Sequence, residues 1–226
     1  KARATGGTKR VAFAEGEEPK VIRAAYQIKE EGIASPILIG RPEVIEKRIE
    51  ELGLACCAEI IDPASFPKHE QYAQAYQDLR GRKGVTIAIA RRRVREVNIF
   101  GSMMVKMGDA DAFISGLTFD YPDVIRPALR IHHTAPGVAR AAGVYIMIVD
   151  DRVYLFTDAT VNIDPTVEDL VEIACLAADY AKQLEIEPRV AFLSFSNFGS
   201  TPHPLSEKIQ KAVALTKARR PDLVVD

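Results

Sequence analysis

The hydrophobic positions in the first half of the chain follow two different periods. Short apolar runs at residues 10–14 and 36–39 have the length of buried strands, and the segment between them has helical spacing. The apolar face of that helix comprises Val21, Ile22, Ala25 and Ile28. Alternation of strands and helices is typical of βαβ units, so the pattern predicts an α/β fold with mainly parallel sheets.

The second half departs from this alternation. Residues 144–149 and 153–157 read as two strands joined by a short charged turn, which predicts an antiparallel hairpin. We therefore expect two domains, 1–136 and 137–226. Because the last residues read as the opening of another strand, the second domain is expected to be incomplete at its C-terminus.

One stretch combines a strand, a turn and a helix. Residues 110–115, from Ala110 to Ser115, read as a buried strand, and Gly116 follows as a turn. Pro122 and Pro127 are both expected in the first helical turn, where a missing N–H costs nothing.

Arg126 lies near the predicted start of this helix. In α/β proteins, the loop between the carboxyl end of a strand and a helix attracts anions, and arginine adds a bidentate grip on phosphate or carboxylate. The alternative is a surface ion pair of Arg126 with Asp120 or Asp123.

A second strand-to-loop junction follows the predicted strand 189–196. Ser194, Ser196, Asn197 and Ser200 supply hydroxyl and amide groups there that suit phosphate or amide contacts. Serine-rich loops are also common in ordinary turns, so the signal has low specificity.

Charge and composition exclude some classes of function. The 226 residues include 30 basic and 31 acidic side chains, so the total charge gives no field that would gather nucleic acid or membrane. Residues 80–95 are rich in arginine but lack interleaved aromatic residues, which favours a solvated helix face over a nucleic-acid site. Arg80 lies near glycines, in a predicted loop where it could contact a ligand.

The cysteines indicate a reducing compartment. Cys56, Cys57 and Cys175 are odd in number and two are adjacent, which argues against a disulfide framework and for a cytoplasmic protein. No spacing typical of a metal site occurs, and no apolar run approaches membrane-spanning length.

Several strings occur in an order typical of one family. They are FGSMMVKMGDADA, ISGLTFDYPDVIRPALR, DATVNIDPT, IEPRVAFLSFS and ARRPDLVVD. Together they resemble the phosphate acetyltransferase (phosphotransacetylase) and phosphate butyryltransferase family, from about residue 9 onward. VNIDPT and LSFSNFGS resemble the version fused behind bacterial NADP-dependent malic enzymes.

The resemblance implies a two-domain α/β fold related to isocitrate and isopropylmalate dehydrogenases, with a cleft between the domains and a homodimer. In the transferases, CoA thiolate attacks acetyl phosphate while arginines hold the phosphate. Arg126 matches the arginine of the family's VRPAL string, and Arg80 matches that of its LRKHKG string. The expected ligand cleft comprises Arg80, Ser115, Gly116, Arg126, Ser194, Ser196, Asn197 and Ser200.

The chain also departs from the transferases. Where their loop reads SGAVHTTAD, Phe119 replaces the histidine and Asp120 replaces the next hydroxyl, so that a carboxylate would repel phosphate. Asn197 and Phe198 stand where the transferases have small residues. The family's catalytic serine, arginine and aspartate belong to a C-terminal segment outside this sequence, so no catalytic residue is predicted here.

These departures lead to a preferred prediction and an alternative. The preferred one is a regulatory acetyl-CoA-binding domain of an NADP-dependent malic enzyme, built as homodimers within a hexamer. NADP and a divalent metal, Mg or Mn, would bind only on a separate malic domain. The alternative is an active phosphate acetyltransferase in which Arg80 and Arg126 clamp acyl phosphate.

Overall fold

The computed structural model describes residues 8–55 and 58–226, which form two compact units. The first unit ends at His133 and the second runs from Thr134 to Asp226. The domain bounds 1–136 and 137–226 stay a prediction. Cys56 and Cys57 lie outside the described residues, and Cys175 is a buried free thiol.

The first unit is built on a parallel four-stranded sheet. Its strands are β1 (Arg10–Phe13), β2 (Ser35–Ile39), β3 (Glu59–Ile61) and β4 (Ala112–Ile114). The order across the sheet is β3-β2-β1-β4, and every neighbouring pair is parallel. The structure thus confirms the predicted α/β class with mainly parallel pairing.

Helices cover both faces of this sheet. They are α1 (Pro19–Glu30), α2 (Pro42–Glu51), α3 (His69–Arg80), α4 (Ile87–Arg93), α5 (Val97–Met107) and α6 (Tyr121–His132). Successive strand residues point to opposite faces. Phe13 and Leu38 therefore pack in one cluster with residues of α1 and α2, whereas Ala12, Ile37 and Ile39 pack with residues of α3, α5 and α6.

The second unit contains the predicted hairpin. Strands β5 (Tyr145–Val149) and β6 (Arg152–Phe156) pair antiparallel, which confirms it. Helix α7 (Val167–Gln183) begins with a capping box in which Thr166 and Asp169 exchange hydrogen bonds. A short parallel pair, β7 (Arg189–Val190) and β8 (Val224–Val225), and helix α8 (Pro204–Arg219) complete the strands and α-helices of the described residues in this unit.

The strand predicted over residues 189–196 is wrong in extent. Strand β7 ends at Val190, and beyond it the amide of Phe192 donates to the carbonyl of Asp226. Leu193 and Phe195 are 83% and 64% exposed. An apolar run needs a pairing neighbour to become a strand, and the described residues supply one only as far as β8.

A charged cluster joins α3 to the segment after α5. Asp109 accepts hydrogen bonds from Lys68 and from the buried Tyr72 hydroxyl, the latter at 2.7 Å. Burial acts to raise the pKa of Asp109, but the bonds from Lys68 and Tyr72 outweigh it, so this pKa lies below its ordinary value. Burial, followed by the bond to Asp109, raises the pKa of Tyr72.

This cluster predicts an acid-dependent loss of stability. A carboxyl group with a lowered folded pKa stabilises the fold above its unfolded pKa of about 3.9, and this contribution is lost as pH falls through the folded value. We expect the free energy of unfolding to decline more steeply below about pH 4 in the wild type than in Asp109→Asn. Denaturant unfolding across this pH range measures the difference. The exposed Glu46→Gln control should keep the wild-type slope, and an unchanged slope in Asp109→Asn would contradict the prediction.

Helix α5 lies close against β4 at Gly101. A Cβ atom placed there would lie 2.0 to 2.6 Å from atoms of the Phe113 ring. The absence of a side chain therefore permits this helix-to-strand contact.

We expect Gly101→Ala to lower the free energy of unfolding by roughly 1 to 3 kcal/mol, because the added methyl group overpacks the core. Gly81→Ala is the matched control, since its Cβ would meet nothing within 4 Å. Equal unfolding midpoints for the two variants would show that the Phe113 ring moves aside freely.

Candidate functional site

The strand order creates a topological switch point in the first unit. Strand β1 leads through α1 to β2 on one side, while β4 pairs with β1 on the other side, with Phe13 opposite Ile114. The loops that leave the carboxyl ends of β1 and β4 therefore begin next to each other. In open parallel sheets this is the usual place for a ligand.

Helix α6 follows the loop after β4. Asp120 occupies its N-cap position with extended backbone, but its side chain makes no capping hydrogen bond. Pro122 lies in the first turn as predicted, whereas Pro127 lies inside the helix, which corrects its expected place. Since proline has no N–H, Pro127 leaves the carbonyl of Asp123 without its helical donor. The Asn98 side chain donates to that carbonyl at 3.1 Å.

Ser115 and Gly116 both form hydrogen bonds within the protein. The Ser115 hydroxyl donates to Oδ1 of Asn98 at 2.7 Å. The Gly116 amide donates to Oε1 of Glu15 at 3.0 Å. Ligand contact by Ser115 and Gly116 stays a prediction.

Arg126 faces a groove beside the start of α6. The groove has a volume of about 520 Å³. It is lined by Arg93, Arg95, Glu96, Val97, Asn98, Ile99, Phe119, Pro122, Asp123, Arg126, Pro127 and Arg130. Within residues 8–55 and 58–226, Arg126 forms no ion pair with Asp120 or Asp123, so the alternative arrangement is not found.

The groove carries an excess of positive charge. Four guanidinium groups line it against two carboxylates, and Glu96 is already paired with Arg93 at 3.0 Å. Nε of Arg95 lies 3.3 Å from Nε2 of His69. Planar guanidinium groups can bind phosphate in bidentate fashion, so the groove suits a ligand with one or more phosphates.

Arg80 is not brought to this groove. It is the last residue of α3 and precedes a short 3-10 turn at Gly81–Lys83. Elsewhere in the basic segment Arg91 pairs with Glu70 at 2.6 Å on the surface, as expected for a solvated face. A role of Arg80 in ligand binding stays a prediction.

The four predicted site residues of the second unit share one loop. The Ser194 hydroxyl donates to the Ser196 carbonyl, and the Ser196 hydroxyl lies 3.3 Å from that of Ser200. The Thr201 amide also donates to the Ser196 hydroxyl at 3.0 Å. Asn197 begins a 3-10 turn, Asn197–Gly199. These hydroxyls stabilise the loop itself, and their contact with a ligand stays a prediction.

Sequence reasoning missed several groups that build the site. Glu15 and Asn98 make the hydrogen bonds that connect the loops, and Arg93 and Arg95 join Arg126 in the groove. The sequence could have indicated Glu15 as a site residue, because it lies directly before a glycine at the end of a strand. Nothing in the sequence marked Asn98 as a site residue, because it is a single polar residue in an apolar helix.

The described ranges, 8–55 and 58–226, contain neither a metal-binding cluster nor a membrane-spanning helix. There, no group of three His, Cys, Asp or Glu side chains could hold a metal ion. None of the helices in those ranges combines the length and the apolar character needed to cross a membrane.

Comparison with known proteins gives the family. The family model described as phosphate acetyl/butaryl transferase matches residues 1–226. The chain belongs to this family.

Relatives within it cover nearly the whole chain. A phosphate acetyltransferase of Clostridium acetobutylicum is 40% identical over 96% of the chain and 68% of its own length. One from Synechocystis is 39% identical over 99% of the chain, which spans 32% of that relative. A phosphotransacetylase structure from Streptococcus pyogenes has a TM-score of 0.89 at 37% identity, covering 98% of this chain and 68% of that one.

These relatives correct the preferred prediction of a regulatory malic-enzyme domain. An NADP-dependent malic enzyme of Escherichia coli is 38% identical, but phosphate acetyltransferases reach 37 to 40% over at least 96% of the chain. Two solved neighbours, from Staphylococcus aureus and Streptococcus pyogenes, are named phosphotransacetylase. The comparisons favour the alternative, an active transferase.

The excess of arginine predicts anion binding. We expect the protein to bind inorganic pyrophosphate more weakly as salt increases, because the attraction between charges is screened. Arg126→Gln should weaken binding roughly tenfold, the usual loss for a charge-assisted hydrogen bond. Isothermal titration calorimetry measures both effects. The exposed Arg23→Gln on α1 is the control, and equal losses in both variants would place pyrophosphate elsewhere.

Proposed function

We propose that the protein is a phosphate acetyltransferase, which moves an acetyl group between phosphate and CoA. In the forward direction the CoA thiolate attacks the carbonyl carbon of acetyl phosphate. A carbon–sulfur bond forms, the carbon–oxygen bond to phosphate breaks, and the electron pair leaves with inorganic phosphate. The thiol proton passes to solvent, and acetyl-CoA is the product.

One observation carries this proposal. A chain of the phosphotransacetylase family presents Arg126, without an ion pair among the described residues, in an arginine-lined groove beside the start of α6, the helix that follows β4. The names of the relatives support the substrate class, since they are phosphate acetyltransferases of bacteria.

The positive charge of the groove would lower the main barrier to this reaction, which is the repulsion between two anions. A thiolate and an acyl phosphate are both anions, so they repel each other as they approach. Guanidinium groups around the phosphate offset that repulsion and stabilise the charge that develops on the leaving group. Holding the acyl phosphate in one orientation adds a contribution from proximity.

The walls of the groove set its polarity. Phe119 and Pro122 supply apolar surface, and Phe119 is 37% exposed. Apolar walls beside fixed cations lower the local dielectric and strengthen their attraction for phosphate. The predicted binding of acetyl-CoA follows from the proposal as binding of product, and the homodimer stays a prediction.

The direct test is acetyl-CoA formation from acetyl phosphate and CoA. The assay uses the wild-type protein extended to its natural C-terminus, which is expected to include the segment with the family's catalytic serine, arginine and aspartate. We expect turnover by this protein and a kcat/KM roughly ten- to hundredfold lower in its Arg126→Gln variant, which loses a charge-assisted contact to phosphate. Thioester formation followed by absorbance gives both constants. Arg23→Gln should keep the wild-type kcat/KM, and absence of turnover by the wild type at saturating substrates would refute the proposal.

A further inference from the structure

Three successive amides after β4 converge on one carboxylate oxygen. The N–H groups of Gly116, Leu117 and Thr118 donate to Oε1 of Glu15 at 3.0, 2.8 and 3.1 Å. Glu15 is only 8% exposed. A concave array of backbone N–H groups is a binding site for anions, and here a side chain of the protein fills it.

The backbone around Glu15 holds it in place. The Ala14 amide donates to the Ile114 carbonyl at 2.9 Å, and the Gly16 amide donates to the Ile39 carbonyl at 3.1 Å. A Cβ at Gly16 would lie 2.7 Å from the Ile39 oxygen, so no other residue fits there. These two hydrogen bonds fix the backbone on either side of Glu15 to β4 and β2, the strands that flank β1.

The loop that Glu15 holds is connected to α6. Ser115 begins the loop and donates to Asn98, which in turn donates to the Asp123 carbonyl left open by Pro127. Asn98 is 7% exposed and lines the groove. The next turn of α6 carries Arg126.

We propose that Glu15 is a positioning residue, an internal anion that fixes loop 115–118 and through Ser115 and Asn98 sets the first turns of α6, where Arg126 binds phosphate. It occupies the amide array that an incoming anion would otherwise take, so ligand phosphate is directed to the arginine groove. The identity of that ligand rests on the proposed function, but the positioning role does not.

Removal of the carboxylate gives a specific signature. Glu15→Ala leaves the N–H groups of residues 116–118 without their acceptor and a void beside them. Formate, a small carboxylate, has the charge and shape to fill that void. Glu15→Gln keeps an amide oxygen as acceptor and should remain close to the wild type.

The test combines thermal unfolding and pyrophosphate titration in equal concentrations of sodium chloride or sodium formate. We expect Glu15→Ala to bind pyrophosphate at least fivefold more weakly in chloride, and formate to restore most of the affinity and raise Tm. Neither formate effect should occur in the wild type or in Glu30→Ala, an exposed carboxylate change on α1. Because no turnover is measured, failure of the proposed reaction would not affect this result.

A second variant keeps the proposal testable if Glu15→Ala does not fold. Ser115→Ala breaks the connection to Asn98 but keeps Glu15, so its affinity for pyrophosphate should fall without any response to formate. Wild-type affinity in a folded Glu15→Ala or in Ser115→Ala overturns the proposal, as does affinity loss in Glu15→Ala that formate fails to restore. Absence of pyrophosphate binding by the wild type overturns it as well.

Discussion

The pairing of β1 with strands on both of its edges is the constraint from which the rest of the first unit follows. Strand β1 pairs in parallel with β2 and with β4, so both faces must be covered by helices. Phe13 and Ala12 accordingly enter different clusters. The same pairing sets the ends of β1 and β4 side by side, so that Glu15 after β1 accepts from the amides of the loop after β4.

In this part of the first unit, the negative and the positive side chains differ in how far they are buried. The carboxylate of Glu15 is buried and satisfied by backbone amides, which offsets the cost of removing it from water. The guanidinium groups of Arg126 and Arg130 face the groove instead. An internal anion therefore stabilises the loop, while the cations remain available to a phosphate-bearing ligand.

Pro127 shows how a local cost can support such a site. A proline inside a helix removes one hydrogen bond and normally destabilises the helix. Here the freed carbonyl of Asp123 accepts from Asn98, so the lost local bond becomes a connection between α6 and α5. The helix that carries Arg126 is thereby attached to the core through a buried amide.

The sequence alone determined the local elements: the alternation of strands and helices, the hairpin, and a helix carrying Arg126 after the loop at Gly116. These follow from periodicity and turn chemistry, which act over a few residues. Tertiary structure decided which distant groups meet. Glu15 and Gly116 are 101 positions apart, and they contact because β4 pairs with β1. The failed strand after Val190 has the same cause, since strands depend on neighbours that periodicity does not reveal.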